Sequence, residues 1–219
     1  YVRSHGFRRR GRVFVDGYAT PQFVQKVESG GGALFDMGVY HIAQVLDLIG
    51  NPDVETITGA THQEIAMYEE PARLSGYNVE ELGVGFARLA GGISLAIEES
   101  WAIHYDDSES SKILGDRGGL KLNPLTYYTT QADVEYSARV DVDGPDYRWH
   151  RWVDDYDAYD SSQHHWVAAL QGRVPLLPTA ELALKVALIS EGIYMSEKLG
   201  REVTATEVME TSGSTVLPV

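Results

Sequence analysis

Apolar positions recur along this chain with two different periods. Leu34, Val39, Ile42, Leu46 and Ile49 fall at near-helical spacing, which predicts an amphipathic helix over 33–49 that stops at Gly50, with Pro52 barring continuation. Between 81 and 101 the period is two. Leu82, Val84 and Phe86 alternate, then Ile93, Leu95 and Ile97 do so beyond Ala90-Gly91-Gly92, the pattern of an antiparallel hairpin. Residues 112–114 and 120–122 flank a glycine-rich turn at 115–119 as a second hairpin, and 134–142 reads as a further strand before Asp143-Gly144-Pro145. Residues 1–16 read as extended, with Val13 and Val15 alternating before a turn at Asp16-Gly17. Residues 17–29 read as irregular or briefly helical, and 54–65 as a strand. Two helices close the chain. One starts at Ser161 or Ser162 and runs to Gln171, with Gly172 as its stop. The other follows Thr179, carries Leu182, Val186, Ile189, Ile193 and Tyr194 on its apolar face, and ends at Gly200. Hairpins in succession, rather than alternating strands and helices, predict an α+β domain with helices on one face of an antiparallel sheet.

Composition narrows the function classes. With 43% hydrophobic and 23% charged residues over 219 positions, the chain is ordinary globular material, expected as one domain over 1–219. No apolar run approaches the ~20 residues that a membrane-spanning helix needs. The absence of cysteine excludes disulfides and thiolate metal sites, and fits a cytoplasmic protein. A net charge of −14 argues against a nucleic-acid binder. Arg3, Arg8, Arg9, Arg10 and Arg12 are the local exception, readable as a basic arm for an anionic ligand or as a solvated edge. A start at Tyr1 among these arginines looks like the middle of a longer protein.

The candidate chemistry is concentrated at 30–41. Gly30-Gly31-Gly32 opens the first helix, and glycines there let backbone and ligand approach closely. Asp36 and Tyr40, four apart, stack on one helical face, where a carboxylate beside a phenol suits acid–base work on a substrate hydroxyl. Asp36 is also explained simply as an acid favoured by the helix dipole. His41 lies off that face and reaches the same cavity from its edge, or is a structural histidine. His164 and His165 are adjacent, so their side chains diverge by about 100° on a helix and no metal-ligand spacing accompanies them; no metal site is expected. One of the pair is expected to face a substrate cavity and the other solvent. The tract of Trp149, Trp152, Asp154, Asp155, Tyr156, Asp157, Tyr159 and Asp160 could stack and hydrogen-bond a sugar, or is a solvated loop anchored by aromatics. No phosphate-binding glycine fingerprint is present.

The stretch Gly-Gly-Gly-Ala-Leu-Phe-Asp-Met-Gly-Val-Tyr-His resembles the GGGxxxDxGx(H/Y) signature of the Gfo/Idh/MocA oxidoreductases. Ile113 to Leu120 is similar to that family's IxGxxGxL hairpin, and Gly172-Arg173-Val174-Pro175 with Gly200-Arg201-Glu202-Val203 resembles its closing phrases. The resemblance covers nearly the whole chain and implies the family's C-terminal domain, with a large open, mainly antiparallel sheet. It implies a Rossmann domain of the same protein as partner, NAD or NADP bound in the full-length protein but not by this domain alone, and a sugar or polyol as substrate. Asp36 and Tyr40 take the catalytic positions, His41 and His164 substrate-binding ones, and Gly31 and Gly32 cofactor-binding ones. The sheet face is expected to form a homodimer or homotetramer. The isolated chain is expected to be inactive, since the family's nicotinamide-binding βαβ region is absent from it. A sugar- or cofactor-sensing regulator and a dimerising scaffold are the alternatives the same fold implies.

Overall fold

In a computed structural model, described for residues 1–106 and 109–213, nine strands form one sheet in the order β8-β7-β6-β5-β1-β4-β3-β2-β9. Strand β1 (Val2–Phe7) leads through irregular chain to a short helix α1 (Lys26–Ser29), a π-helical turn (Leu34–Gly38) and α2 (Val39–Leu48). Then follow β2 (Val54–His62), α3 (Glu69–Ser75), the hairpin β3 (Leu82–Leu89) and β4 (Ile93–Ser100), and the meander β5 (Lys112–Leu114), β6 (Gly119–Leu122), β7 (Leu125–Gln131) and β8 (Val134–Arg139). Helices α4 (Asp143–Trp152), α5 (Ser162–Leu170) and α6 (Thr179–Leu199), strand β9 (Val203–Thr204) and α7 (Ala205–Thr211) complete the chain. The architecture is α+β with a large open sheet, antiparallel except where β1 runs parallel to β4.

The core lies between one face of β1–β4 and helices α2 and α6. Leu34, Ile42, Leu46, Ile57, Leu95, Ile97, Ile189 and Ile193 are buried together there, each worth roughly 1.5–3 kcal/mol of transfer free energy. In β3 the face toward the helices is not the Leu82, Val84, Phe86 side but Gly83, Gly85, Ala87 and Leu89. Gly83 is required there, because a Cβ would lie 2.4–2.7 Å from Cγ, Cδ1 and Cδ2 of the buried Leu34. The helix entrance therefore rests directly on the sheet backbone. A second buried group, Val13, Val24, Ala33, Met37, Val79 and Trp101, lies beneath the irregular chain.

Several sequence expectations change, and α3, β9 and α7 are further elements that the sequence pattern does not announce. Strand β1 stops at Phe7 instead of continuing to 16, because Arg12 turns inward and is fully buried. Its guanidinium bonds Asp16 and Glu81 and the carbonyls of Ile65 and Ala66, a burial only full pairing makes tolerable. The early arginines are thus not simply a solvated edge. Strand β7 and helix α4 go unpredicted: the first because only Leu125 and Tyr127 among its alternate positions on the helix-side face are strongly apolar, the second because Gly144-Pro145 reads as a turn. Pro145 sits in the first turn of α4, where its missing N–H costs nothing. The first helix is also not uniform, since its opening turn is π-helical.

Candidate active site

The π turn is held from below by Glu80. Its carboxylate accepts from the N–H groups of Gly32 (3.0 and 2.9 Å) and Leu34 (3.0 Å), an anion capping a helix start. Gly32 is needed for this approach, since a Cβ would come within 2.0 Å of the Glu80 carbonyl oxygen. Its buried amide is therefore engaged by the protein itself. Gly31, also buried, lies on the wall of the adjoining cavity and against the Tyr194 hydroxyl.

That cavity, about 350 Å³, is lined by Phe23, Gly31, Phe35, Asp36, Val39 and Tyr40 among others. The structure brings Asp36 and Tyr40 together on it. Trp101, fully buried, donates its indole N–H to Asp36 Oδ2 at 2.9 Å, fixing the carboxylate while no protein donor reaches Oδ1 among the described residues. Tyr40 is 71% exposed. Tyr18 stands near this carboxylate, and burial, reinforced by the charge of Asp36, pushes its phenol above the ordinary tyrosine range. Its hydroxyl donates to the Gly11 carbonyl at 2.5 Å and accepts from Arg8 at 2.9 Å.

His41 opens instead onto a second cavity of about 680 Å³, which also has Tyr40 on its wall. Its Nδ1 lies 2.8 Å from Glu99 Oε2, and Ser4 Oγ donates to Glu99 Oε1 at 2.8 Å. The hydrogen bond to Glu99 raises the His41 pKa above the usual histidine value, against the opposing effect of burial. Burial in turn raises the Glu99 carboxyl above the usual range, opposed by His41.

His164 is elsewhere. It is exposed at the start of α5, with Nδ1 3.0 Å from Ser161 Oγ, and lines neither cavity. His165 is buried, accepting at Nε2 from the Leu177 N–H at 3.0 Å and stacked on Tyr159. The aromatic and acidic tract folds on itself: Asp155 and Asp157 bind Arg173, and Asp146 and Asp160 bind His150. It does not line either cavity. Trp101, Glu80, Glu99 and Tyr18 are missed by sequence reasoning. Their signal is spatial, as Trp101 and Asp36 lie 65 positions apart and Glu99 and His41 58.

No helix among the described residues is long and apolar enough to cross a membrane. Comparison with known proteins gives one consistent answer. The family model "GFO/IDH/MocA C-terminal domain" matches residues 1–121. D-glucoside 3-dehydrogenase of Escherichia coli (strain K12) is 22% identical over 188 residues, covering 83% of this chain and 51% of the relative. The chain thus spans about half the length of this curated relative. Levoglucosan dehydrogenase in complex with NADH shares the fold with a TM-score of 0.67 at 19% identity, over 85% of this chain and 53% of that one. GenD2 from gentamicin A biosynthesis, in complex with NAD, does so with 0.58 at 22% identity, over 93% and 53%.

Proposed function

The chain belongs to the GFO/IDH/MocA C-terminal domain family, and we propose that it supplies the substrate half of an NAD(P)-dependent oxidoreductase site acting on a sugar or polyol. One observation carries the reading: Trp101 anchors one oxygen of Asp36 and leaves the other on a cavity shared with Tyr40. A carboxylate so oriented accepts a hydrogen bond from a substrate hydroxyl and sets its direction. The Tyr40 phenol, on the same wall, is the group that exchanges the hydroxyl proton. Phe23, Phe35 and Val39 offer apolar surface to the C–H faces of a ring. The names of the relatives, which speak of a glucoside, levoglucosan and NAD, agree with this.

The residues of this chain do not fit a dinucleotide by themselves. The helix start that would receive a phosphate is already filled by the Glu80 carboxylate, and a second anion there meets repulsion. NAD or NADP is therefore assigned to a Rossmann domain of the same protein, and the isolated chain is inactive as a dehydrogenase. The uncovered sheet face provides the contact for a homodimer or homotetramer.

Calorimetry with glucose or myo-inositol tests the reading. Asp36→Asn keeps an acceptor for Trp101 and removes the charge, so it weakens binding by about tenfold or more with no change in fold. Unaltered affinity in that variant would sink the assignment. NAD(P)-dependent turnover by the 219-residue chain would sink its inactivity.

A further inference from the structure

The second cavity is larger than the first, and Tyr40 is a wall of both. Its size lies within the range of small-molecule sites. Two histidine–carboxylate pairs stand behind it. His41 has Nδ1 fixed by Glu99, a residue with no exposed surface that is itself held by Ser4, so the ring orientation is set and Nε2 has no protein partner among the described residues. His5, only 4% exposed, has Nδ1 3.2 Å from Glu98 Oε2, and its Nε2 is buried without a hydrogen-bond partner among the described residues. A buried ring nitrogen left unpaired is costly and calls for a partner. Phe7, Met37 and Leu122 add apolar wall between these polar points.

The wall also carries charged donors and acceptors. Arg8 gives one N–H to the Tyr18 hydroxyl and keeps its charge and its other donors, while Glu109 is held by Arg3. Both imidazoles already have a carboxylate behind them. What remains is a set of hydrogen-bonding edges alternating with apolar surface, the complement of a carbohydrate ring.

We propose that this cavity is a subsite for a second sugar ring, so that the protein takes a disaccharide or glycoside with its reacting ring beside Asp36 and the next ring beyond Tyr40, against His41 and His5. The inference rests on the sugar reading of the Asp36 cavity and extends it to substrate size.

Titration of the protein with glucose and with cellobiose tests it, read by calorimetry and by the ring C–H resonances of the histidines. Cellobiose binds about tenfold more tightly than glucose, and it alone shifts the His5 and His41 resonances. His41→Asn and His5→Gln weaken cellobiose more than glucose, collapsing the difference between the two. Equal affinities, or histidine resonances unmoved by cellobiose, would overturn the subsite. The resonances are read on the unaltered protein, so the test survives a His5 variant that fails to fold. The two readings fail separately. Glucose binding that Asp36→Asn leaves intact removes the Asp36 assignment, whereas an Asp36-dependent glucose site with no cellobiose advantage removes only the subsite. If neither sugar binds, both fall.

Discussion

Strands β3 and β8 belong to one sheet but live in different physical worlds. Every second residue of β3 meets a helix, closely enough that Gly83 has no room for a Cβ, whereas all six residues of β8 are exposed. The Tyr127, Tyr136 and Val134 side chains continue the helix-facing surface of β5 and β6, yet no helix of the described residues lies on them. Backbone ladders and a few side-chain hydrogen bonds, such as those of Tyr127 and Thr129 to the Arg117 carbonyl, hold the outer strands, while helix packing holds the inner ones. The candidate site sits on the packed half, where the turn carrying Asp36 has a rigid seat. The outer half has surface to offer to a partner instead.

The largest break in this comparison comes from Arg12. Replacing it with leucine leaves Asp16 and Glu81 buried without their cation, and chemical denaturation should show a loss of about 3–5 kcal/mol. Ile193→Ala, in the covered half, should cost about 2–5 kcal/mol. Val134→Ala, in the bare half, should stay within about 0.5 kcal/mol. Comparable losses at these two positions would show that β8 is packed in solution, as in an oligomer. Hydrogen exchange sharpens the same contrast: amides of β7 and β8 should exchange well before those of β3 and β4.

The Glu99–His41 pair gives a pH-dependent version. With Glu99→Gln, the His41 ring keeps at most a neutral acceptor in place of the carboxylate that raises its pKa and keeps the burial that lowers it, so its NMR titration midpoint should fall. Because His41 is raised in the folded state, its contribution to stability is complete below the unfolded value of about 6.5 and fades as pH rises through the folded value. The stability gap between wild type and Glu99→Gln should therefore narrow from about pH 6.5 upward. A gap that widens there contradicts the pairing. An effect between those at Ile193 and Val134 is expected at Thr204, the N-cap of α7, whose hydroxyl accepts from the Glu207 N–H. Thr204→Ala should cost about 1 kcal/mol in thermal or chemical unfolding.

What was legible in the sequence follows from the same division. The hairpin at 82–100 announces itself because Gly91-Gly92 separates two alternating runs, and α2 and α6 because their buried stripes are periodic. Asp36 and Tyr40 stand out because both lie within one short motif, and they do share a cavity. Local pattern fails where distant residues decide. Arg12 reads as surface until Glu81 is seen beside it, and Gly32 reads as an opening for a ligand until Glu80 is found filling it. Phe7 ends β1 although Val13 and Val15 continue the alternation, since the pull on that chain comes from Asp16 and Glu81, not from its own periodicity. His41 gives no local sign of Glu99.

The π turn at Leu34–Gly38 stores the aim of Asp36 as a count of residues. Such a turn holds one residue more than an α-helical path between the same ends. Deleting one residue from it is thus compatible with an unbroken helix, but rotates the acid by about 100° against everything that follows in α2. Leu34 would still be pinned to Gly83 and Ile42 to the core, so the fold could survive while Asp36 lost Trp101. Register here works as a dial with discrete settings, and a one-residue length change would misdirect the carboxylate more thoroughly than a substitution of its neighbours.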